Sequence, residues 1–451
     1  MNICSIILLL AGLGIGVFVY FTTLFDQPMS YKYGETSDQN KAEVEPLEAL
    51  ATNIYKENKN INSLLKSLMT TKFFRIFRTN LLRDCEFFKK KQKCILGKCP
   101  VYEEEEYNIT HIKTYIVNKT LDSKTQEFTK HIPIEEYVDH SDGWMVDEHL
   151  DEEGSFLDIQ KNPERFTGYN GSIIWNEINK QTQLNHNFST PGPHQDFLYR
   201  IVSGLHSSIS THISKFYLDD IEARENFSLI DFYTNYDIFY ERVGKYPDRV
   251  KNLFYIYGFF LDALNHIIAN LPHYTYYADD ESKNQRIQNR MQWFGHYVSK
   301  IKNTEKIHDG LYNDISKKEL AEKIKPMFRN VTELLNCIAC DVCKFNARIQ
   351  FVGVATMLKI LFTEEGKKVV LSENELVGLM NTIFRLSNSI KWYEEQQDHE
   401  AGEAFFKTMM YCIALAIAVI LIILAIMVHC ISSSRKDEER VPLRMQDALR
   451  T

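Results

Sequence analysis

Two long apolar runs, one at each end of the chain, restrict its possible folds more than any other feature. Residues 3–25 and 408–431 contain no Asp, Glu, Lys or Arg, and each is long enough to cross about 30 Å of hydrocarbon as a helix. The first run lacks the basic flank and small-residue cleavage site of a signal peptide. Residues 1–25 are therefore predicted to be an uncleaved anchor and not a cleaved signal. Both runs are therefore predicted to be membrane spans.

Charge and glycosylation signals predict where the rest of the chain lies. Basic residues follow the second run, and the positive-inside rule places such a tail, residues 432–451, in the cytoplasm. Two crossings then put the residues between the spans in a lumen. Six glycosylation sequons fall in that region and agree with a secretory compartment: Asn108, Asn118, Asn170, Asn187, Asn226 and Asn330. The formal net charge of -8, without a basic stripe, excludes nucleic acid as a partner.

Apolar residues between the spans recur at helical spacing. This pattern covers residues 197–216, 250–271, 319–335, 351–361 and 375–393. Pro272 and Pro326 are predicted helix breaks, and residues 107–155 hold short strands or none. The sequence therefore predicts one mainly α-helical lumenal domain over residues 61–395, preceded by a polar linker over residues 26–60.

The cysteines are grouped. Three of the nine lie in the membrane runs, where they are interpreted as small apolar residues: Cys4, Cys412 and Cys430. The other six form two tight groups about 240 residues apart, which are Cys85, Cys94 and Cys99, then Cys337, Cys340 and Cys343. A domain of this size needs no disulfide staples, so the clustering indicates chemistry.

Each group contains a candidate redox pair. Cys337, Cys340 and Cys343 form a C-x-x-C-x-x-C motif, and three-residue spacing on a helix brings two Cα atoms to about 5–6 Å, within reach of a disulfide. The same motif also serves zinc or iron-sulfur sites. Cys94 and Cys99 lie in a charged segment predicted to be an exposed loop, where they can close an exchangeable disulfide or a structural bridge. Their wide spacing favours redox chemistry over metal binding.

Three ordered motifs resemble the endoplasmic reticulum oxidoreductin family. They are Asn162-Pro-Glu-Arg-Phe-Thr-Gly-Tyr-Asn-Gly171, then Val202-Ser-Gly-Leu-His206, and then Cys337-Ile-Ala-Cys340-Asp-Val-Cys343 followed by Leu358-Lys-Ile-Leu-Phe362. The resemblance extends from about Cys85 to Lys391 and leaves out both membrane runs. Three motifs in the family's order are far more specific than a single cysteine pair.

The resemblance implies FAD held among the helices. The residues that it assigns to the cofactor are Arg165, Thr167, Trp175, Ser203, His206 and Arg249. The arginines would bind phosphate, and Trp175 would stack on a ring face. Without the resemblance, Trp175 would be interpreted as core, the arginines as surface, and His206 as a helix residue with an ordinary hydrogen bond.

One position departs from the family pattern. The family leads us to expect a second arginine thirteen residues after Arg249, where this chain has Asp262. A carboxylate near the phosphates would repel them, so either the helix is rotated or another cation, such as Lys251 or Arg242, takes the arginine's place.

The family also implies an electron relay. Reduced protein disulfide isomerase, or a thioredoxin-like relative, would reduce Cys94–Cys99, which would reduce Cys340–Cys343, with FAD and then molecular oxygen as acceptors and hydrogen peroxide as product. Cys85 and Cys337 would form a structural disulfide. This pairing uses all six lumenal cysteines, so weak redox feedback is predicted. One alternative is a non-enzymatic membrane glycoprotein that uses the cysteines as structural bridges or a zinc site. A second alternative is a degenerate oxidoreductin that has lost FAD at Asp262 and keeps the same bridges.

Overall fold

The structure is a computed structural model that describes residues 41–88, 101, 114–118, 143–144, 154–164, 172–182, 194, 196–208, 239–277, 280–308, 311–364 and 368–448. Most of these residues are helical, as predicted. The α-helices are α1 (Lys41–Met69), α2 (Lys72–Arg75), α3 (Ser172–Thr182), α4 (Phe197–Ser207), α5 (Pro247–Ile267), α6 (Glu281–Val298), α7 (Lys317–Leu334), α8 (Asp341–Phe362) and α9 (Glu373–Ala448). Short 3-10 helices cover Leu271–His273, Thr304–His308 and Leu335–Cys337, and a π-helical turn covers Tyr240–Gly244.

Four short strands form two antiparallel pairs within the described residues. Strand β1 (Ile76–Thr79) pairs with β3 (Ser155–Asp158), with Ile76 opposite Asp158. Strand β2 (Thr114–Asn118) pairs with β4 (Lys368–Ser372), with Thr114 opposite Ser372. Two-stranded ribbons have little stability of their own, so these pairs depend on the helical core against which the chain packs.

Helices α5 and α8 form the centre of the core. Almost every side chain of α8 is buried, from Val342 to Leu361. The helix is long and apolar enough to cross a membrane, but 89% of its most apolar stretch is buried inside the protein. A helix that is apolar on all sides is expected at the centre of a large domain as well as in a bilayer. Burial identifies α8 as a core helix.

The predicted linker over residues 26–60 is wrong from Lys41 onward. Helix α1 begins there, and its inner face buries Leu50, Ile54 and Ile61 at helical spacing. Asn58 of this face is also buried, where its side chain donates to the Ser387 carbonyl and accepts from Tyr257. Polar residues such as Lys56, Lys59 and Asn60 are exposed on the other face, so the helix is amphipathic from Leu50 onward.

The predicted break at Pro326 is also wrong, whereas Pro272 does follow the end of α5 in a 3-10 turn. Pro326 lies inside α7 on its exposed face, between the buried residues Ile324 and Phe328. Proline removes one backbone hydrogen bond. Since the carbonyl that loses its partner faces water, burial of the opposite face keeps the helix continuous.

Helix α9 belongs to two compact units. The first unit ends at Trp392, and the second comprises residues 393–451. In the second unit the large apolar side chains between Phe405 and Ile431 are exposed. The stretch from Glu373 to His429 contains a strongly apolar window of which 0% is buried. This helix therefore contains the predicted run over residues 408–431. The predicted first span lies outside the described residues.

Candidate functional site

The start of α8 carries a buried disulfide. Cys340 is the N-cap residue of the helix, and its sulfur is bonded to Cys343, with the two Cα atoms 5.1 Å apart. The Cys343 backbone N–H donates to Cys340 Sγ over 3.3 Å. The Cys340 side chain is 0% exposed and that of Cys343 is 2% exposed, so an external protein thiol has no direct access to either sulfur.

A second disulfide joins distant parts of the chain beside the first. Cys85 is bonded to Cys337, with a Cα–Cα distance of 4.5 Å and a sequence separation of 252 residues. The structure therefore contains the pairing that the family resemblance implied. Cys337 ends the short helix Leu335–Cys337, three residues before Cys340. This bridge holds the residues around Cys85 close to the start of α8.

Two buried cations of α8 bind the same region. Lys344 Nζ donates to the Leu81 carbonyl over 2.9 Å. Arg348 donates to the Asn336 side chain, next to Cys337, and is only 2% exposed. Burial, together with the nearby charge of Arg83, lowers the pKa of Arg348 to about 9. These contacts fix the chain on both sides of the Cys85–Cys337 bridge against the helix that carries Cys340 and Cys343.

Helices α3 and α4 bring two of the predicted cofactor residues together. The rings of Trp175 and His206 are stacked, with centroids 3.8 Å apart and an interplanar angle of 17°. Trp175 lies in the first half of α3, and His206 lies in the last turn of α4. The stacked pair combines a large apolar ring with a ring that can form hydrogen bonds.

Ser203 lies one turn before His206 on α4 and contacts α5. Its Oγ accepts from Asn252 Nδ2 over 3.2 Å. The guanidinium carbon of Arg200 lies 3.6 Å above the Tyr255 ring, and Arg200 Nε donates to Asn252 Oδ1 over 3.4 Å. Gly204 permits this close crossing, because a Cβ atom there would overlap the Asn252 backbone carbonyl.

Arg249 lies in the first turn of α5 and is exposed. Its guanidinium donates to the Arg242 carbonyl and lies 4.2 Å above the Tyr246 ring. The Arg249 cation therefore lies at the N-terminal end of α5, the end whose Asn252 contacts Ser203. Asp262 is thirteen residues further along the same helix, which is about 20 Å along its axis.

Asp262 is buried and accepts two side-chain hydrogen bonds. The donors are Thr304 Oγ1, at 3.1 Å from Oδ1, and His308 Nε2, at 2.8 Å from Oδ2. Burial raises the pKa of Asp262, but the hydrogen bond and charge of His308 outweigh it and keep the pKa below its usual value. The carboxylate therefore has its compensating partner in His308. That Lys251 or Arg242 takes the arginine's place at the phosphates stays a prediction.

Arg165, Thr167, Cys94 and Cys99 lie outside the described residues, but the residues before Arg165 are held firmly. Arg385 of α9 binds Glu164 through two guanidinium nitrogens and donates to Ser208 Oγ over 2.9 Å. Asn346 of α8 donates to the Asn162 carbonyl over 3.1 Å. The first motif is thereby tied to α8, to α9 and to the end of α4.

Several of these polar residues are missed by sequence reasoning. Three of them, Arg200, Asn252 and Arg385, lie in predicted helices, where a polar residue among apolar ones signals a need for a partner. The other two, Lys344 and Arg348, precede the predicted run over residues 351–361 and had no such signal. No group of three or more His, Cys, Asp or Glu side chains suited to a metal ion occurs among the residues that the structure describes.

A buried disulfide at the N-cap of a core helix, beside a second bridge, is the arrangement expected of a helical thiol oxidoreductase. Comparison with known proteins agrees. The sequence model of Endoplasmic Reticulum Oxidoreductin 1 (ERO1) matches residues 60–393. The chain belongs to the ERO1 family, which confirms the resemblance seen in the sequence motifs.

The relatives and solved structures give the extent of the similarity. Endoplasmic reticulum oxidoreductin-1 of Arabidopsis thaliana is 31% identical over 355 residues, covering 73% of this chain and 74% of the relative. Endoplasmic oxidoreductin-1 of Saccharomyces cerevisiae is 31% identical over 367 residues, covering 74% of this chain and 62% of the relative. The solved structure of Ero1p, described as the source of disulfide bonds for oxidative protein folding in the cell, is 26% identical. It matches with a TM-score of 0.54 over 78% of this chain and 99% of the other.

Family membership and this structural match assign the chain to oxidoreductases that act on thiols and form disulfides during oxidative protein folding in the endoplasmic reticulum.

Proposed function

We propose that this chain is a membrane-anchored, FAD-dependent thiol oxidase that oxidises protein disulfide isomerase or another thioredoxin-like protein in the lumen of the endoplasmic reticulum. The observation that carries the proposal is the buried Cys340–Cys343 disulfide at the start of α8. It is an oxidant that can accept two electrons, and its burial requires an intermediate carrier between it and a folded protein substrate.

Cys94 and Cys99 are the proposed carrier. Cys85 is fixed beside the active-site pair through Cys337, and Cys94 follows nine residues later, which limits its distance from the bridge to about 30 Å. Tethering at this length gives the carrier thiols a high effective concentration at Cys340–Cys343. The same tether leaves the pair enough chain length to meet an external partner.

The thiol steps balance as two successive exchanges. A partner thiolate attacks the Cys94–Cys99 disulfide, and its second thiol completes the exchange, so the partner leaves oxidised and Cys94 and Cys99 become a dithiol. That dithiol then attacks Cys340–Cys343 and regains its disulfide, which leaves two electrons and two protons on the active-site pair. FAD, when bound, supplies the two-electron acceptor between this pair and molecular oxygen, which leaves as hydrogen peroxide.

The position of the active-site pair favours the second exchange. The Cys343 N–H that donates to Cys340 Sγ would donate to the thiolate formed on reduction. The positive end of the α8 dipole stabilises the same negative charge. Both effects stabilise the reduced form of the pair and therefore make the Cys340–Cys343 disulfide a stronger oxidant of the carrier dithiol.

The side chains around Ser203 suit the parts of FAD. The Trp175 and His206 rings offer stacking surfaces, Ser203 offers a hydroxyl, and Arg249 offers a cation in the first turn of α5. Arg165 and Thr167, which directly follow Glu164 in the sequence, would complete this set. A planar ring system with phosphates is the ligand chemistry that these groups fit.

The four paired cysteines argue against the zinc alternative. Cys85, Cys337, Cys340 and Cys343 form two disulfides, and a disulfide sulfur is not the thiolate that zinc requires.

The direct test of the proposed function is purification of the full chain in detergent. It should show flavin absorbance and consume oxygen when a reduced thioredoxin-like protein is added.

Cysteine variants test the roles within this reaction. Cys340→Ala or Cys343→Ala should abolish oxygen consumption while the flavin stays bound, because the variant protein cannot hold the electron-accepting disulfide. Cys412→Ala is the matched control, since Cys412 is exposed and not in a disulfide, and it should retain full activity. A colourless protein with stoichiometric zinc would refute the proposal.

A further inference from the structure

Three polar side chains form a chain of hydrogen bonds across the contact between α4 and α5. Arg200 Nε donates to Asn252 Oδ1 over 3.4 Å, and Asn252 Nδ2 donates to Ser203 Oγ over 3.2 Å. Arg200 is also held by the Tyr255 ring, 3.6 Å from its guanidinium carbon. Asn252 is buried, so its two polar atoms depend on these partners.

The chemistry of arginine sets the direction of every bond in this chain. A guanidinium has only donors, so the Asn252 atom that faces it must be the amide oxygen. The amide nitrogen then faces Ser203, and an amide N–H can only donate. Ser203 Oγ must therefore accept from Asn252, which leaves the Ser203 O–H as a donor for another partner. Within the described part of the chain, Asn252 is the side chain that bonds this hydroxyl.

We infer that Arg200 and Asn252 are positioning residues that fix the Ser203 hydroxyl as a hydrogen-bond donor toward an acceptor oxygen of FAD. This inference rests on the proposed function, because it assigns Ser203 to the cofactor. FAD is rich in acceptor oxygens on its phosphates and its ring carbonyls. Because Ser203 Oγ already accepts from Asn252, its O–H is held in one orientation and can donate to such an oxygen.

Gly204 supports this arrangement from the backbone. The next residue after Ser203 has no side chain, and any Cβ atom there would overlap the Asn252 carbonyl. The glycine thus keeps α4 close enough to α5 for the Asn252 side chain to reach Ser203. The Ser-Gly pair of the second sequence motif is explained by this contact.

Substitutions at Asn252 separate hydrogen-bond direction from packing. Asn252→Asp keeps the shape but offers only acceptors, so the Ser203 O–H must donate to it and is lost to FAD. Asn252→Leu removes the amide and lets the hydroxyl rotate toward FAD. The dissociation constant of FAD should rise about tenfold in Asn252→Asp, as for loss of one hydrogen bond, and less in Asn252→Leu. A purely structural role of Asn252 predicts the opposite order.

The measurement is titration of flavin-depleted full chain in detergent with FAD, followed by quenching of flavin fluorescence. Because Asn252→Asp adds a charge, it is combined with Ser203→Ala. The double variant should bind FAD no more weakly than Asn252→Asp alone, since both changes remove the same donor. Arg200→Met should weaken binding in the wild type but not in Ser203→Ala. Asn270→Asp, near the other end of the α5 region, is the charge control and should leave binding unchanged.

The outcomes distinguish this inference from the proposed function. Wild-type protein that does not bind FAD would refute both. Wild-type binding together with additive losses in the double variant, or a larger loss in Asn252→Leu than in Asn252→Asp, would refute the positioning role alone. Thermal unfolding of each variant within a few degrees of the wild type shows that the comparison concerns folded protein.

Discussion

Asp262 and His308 form a buried contact between α5 and the short helix Thr304–His308, with Oδ2 and Nε2 2.8 Å apart. The second carboxylate oxygen accepts from Thr304, which in turn accepts from Asn265. The His308 ring also packs edge-on against Phe259, with centroids 4.6 Å apart. A carboxylate that breaks the family's charge pattern at the sequence level is therefore part of an internal polar network.

The stability of this network should depend on pH. The pKa of Asp262 in the folded protein lies below its unfolded value of about 3.9, so the ionised group stabilises the fold above that pH. This contribution is lost as the pH falls through the folded pKa. Asp262→Asn should lower the free energy of unfolding by about 1–3 kcal/mol at pH 7, and the difference from wild type should shrink as the pH falls below about 4.

Urea unfolding in detergent over that pH range measures this difference. Asp248→Asn is the matched control, because Asp248 is an exposed carboxylate in the first turn of the same helix. Its effect should stay small throughout. A difference for Asp262→Asn that does not change with pH would show that the Asp262 charge does not stabilise the fold.

At the scale of elements, periodicity predicted the core helices and missed their ends. The run over residues 351–361 predicted α8, but the helix begins ten residues earlier, because Cys340 provides its N-cap and the helix starts at the motif itself. The stacked Trp175 and His206 were assigned to one site only through the family resemblance, since no local pattern relates α3 to α4. Contacts between distant segments, such as Arg385 with Glu164, follow from tertiary packing that a single sequence does not encode in its spacing.

The crossing of α4 and α5 gives a prediction at this scale. Gly204→Ala should force the helices apart, because the added methyl group meets backbone of Asn252 that cannot rotate away. We expect a lower unfolding temperature and a lower flavin content. Gly402→Ala is the matched control, since it lies in a helix with nothing within 4 Å of the added methyl group. That change should be neutral or stabilise by up to about 1 kcal/mol through helix propensity. Equal behaviour of the two variants in thermal unfolding would contradict the close crossing.

At the scale of the whole molecule, cysteine number limits regulation. The chain has nine cysteines, and the proposed relay, the structural bridge and the apolar runs account for all of them. No pair remains for a regulatory disulfide. The proposed oxidase should therefore consume oxygen without a lag when it is first fully oxidised and then mixed with a reduced thioredoxin-like protein. An oxidised enzyme that stays inactive until a small-molecule reductant is added would show that a regulatory disulfide exists.

The apolar surface of α9 leads to the last prediction. Side chains between Phe405 and Ile431 are exposed on all sides of a continuous helix, which far exceeds the apolar patch of a water-soluble protein. We expect a bilayer to cover this surface, with the basic residues after Ile431 on the cytoplasmic side. The full chain should resist extraction by alkaline carbonate from microsomes, and replacing residues 408–431 by a polar sequence should weaken that resistance.

Protease added outside sealed microsomes should remove a tag placed after Thr451 and leave the region from Leu50 to Trp392 intact. Protection of the tag would reverse the proposed orientation, and with it the lumenal position of the thiol chemistry.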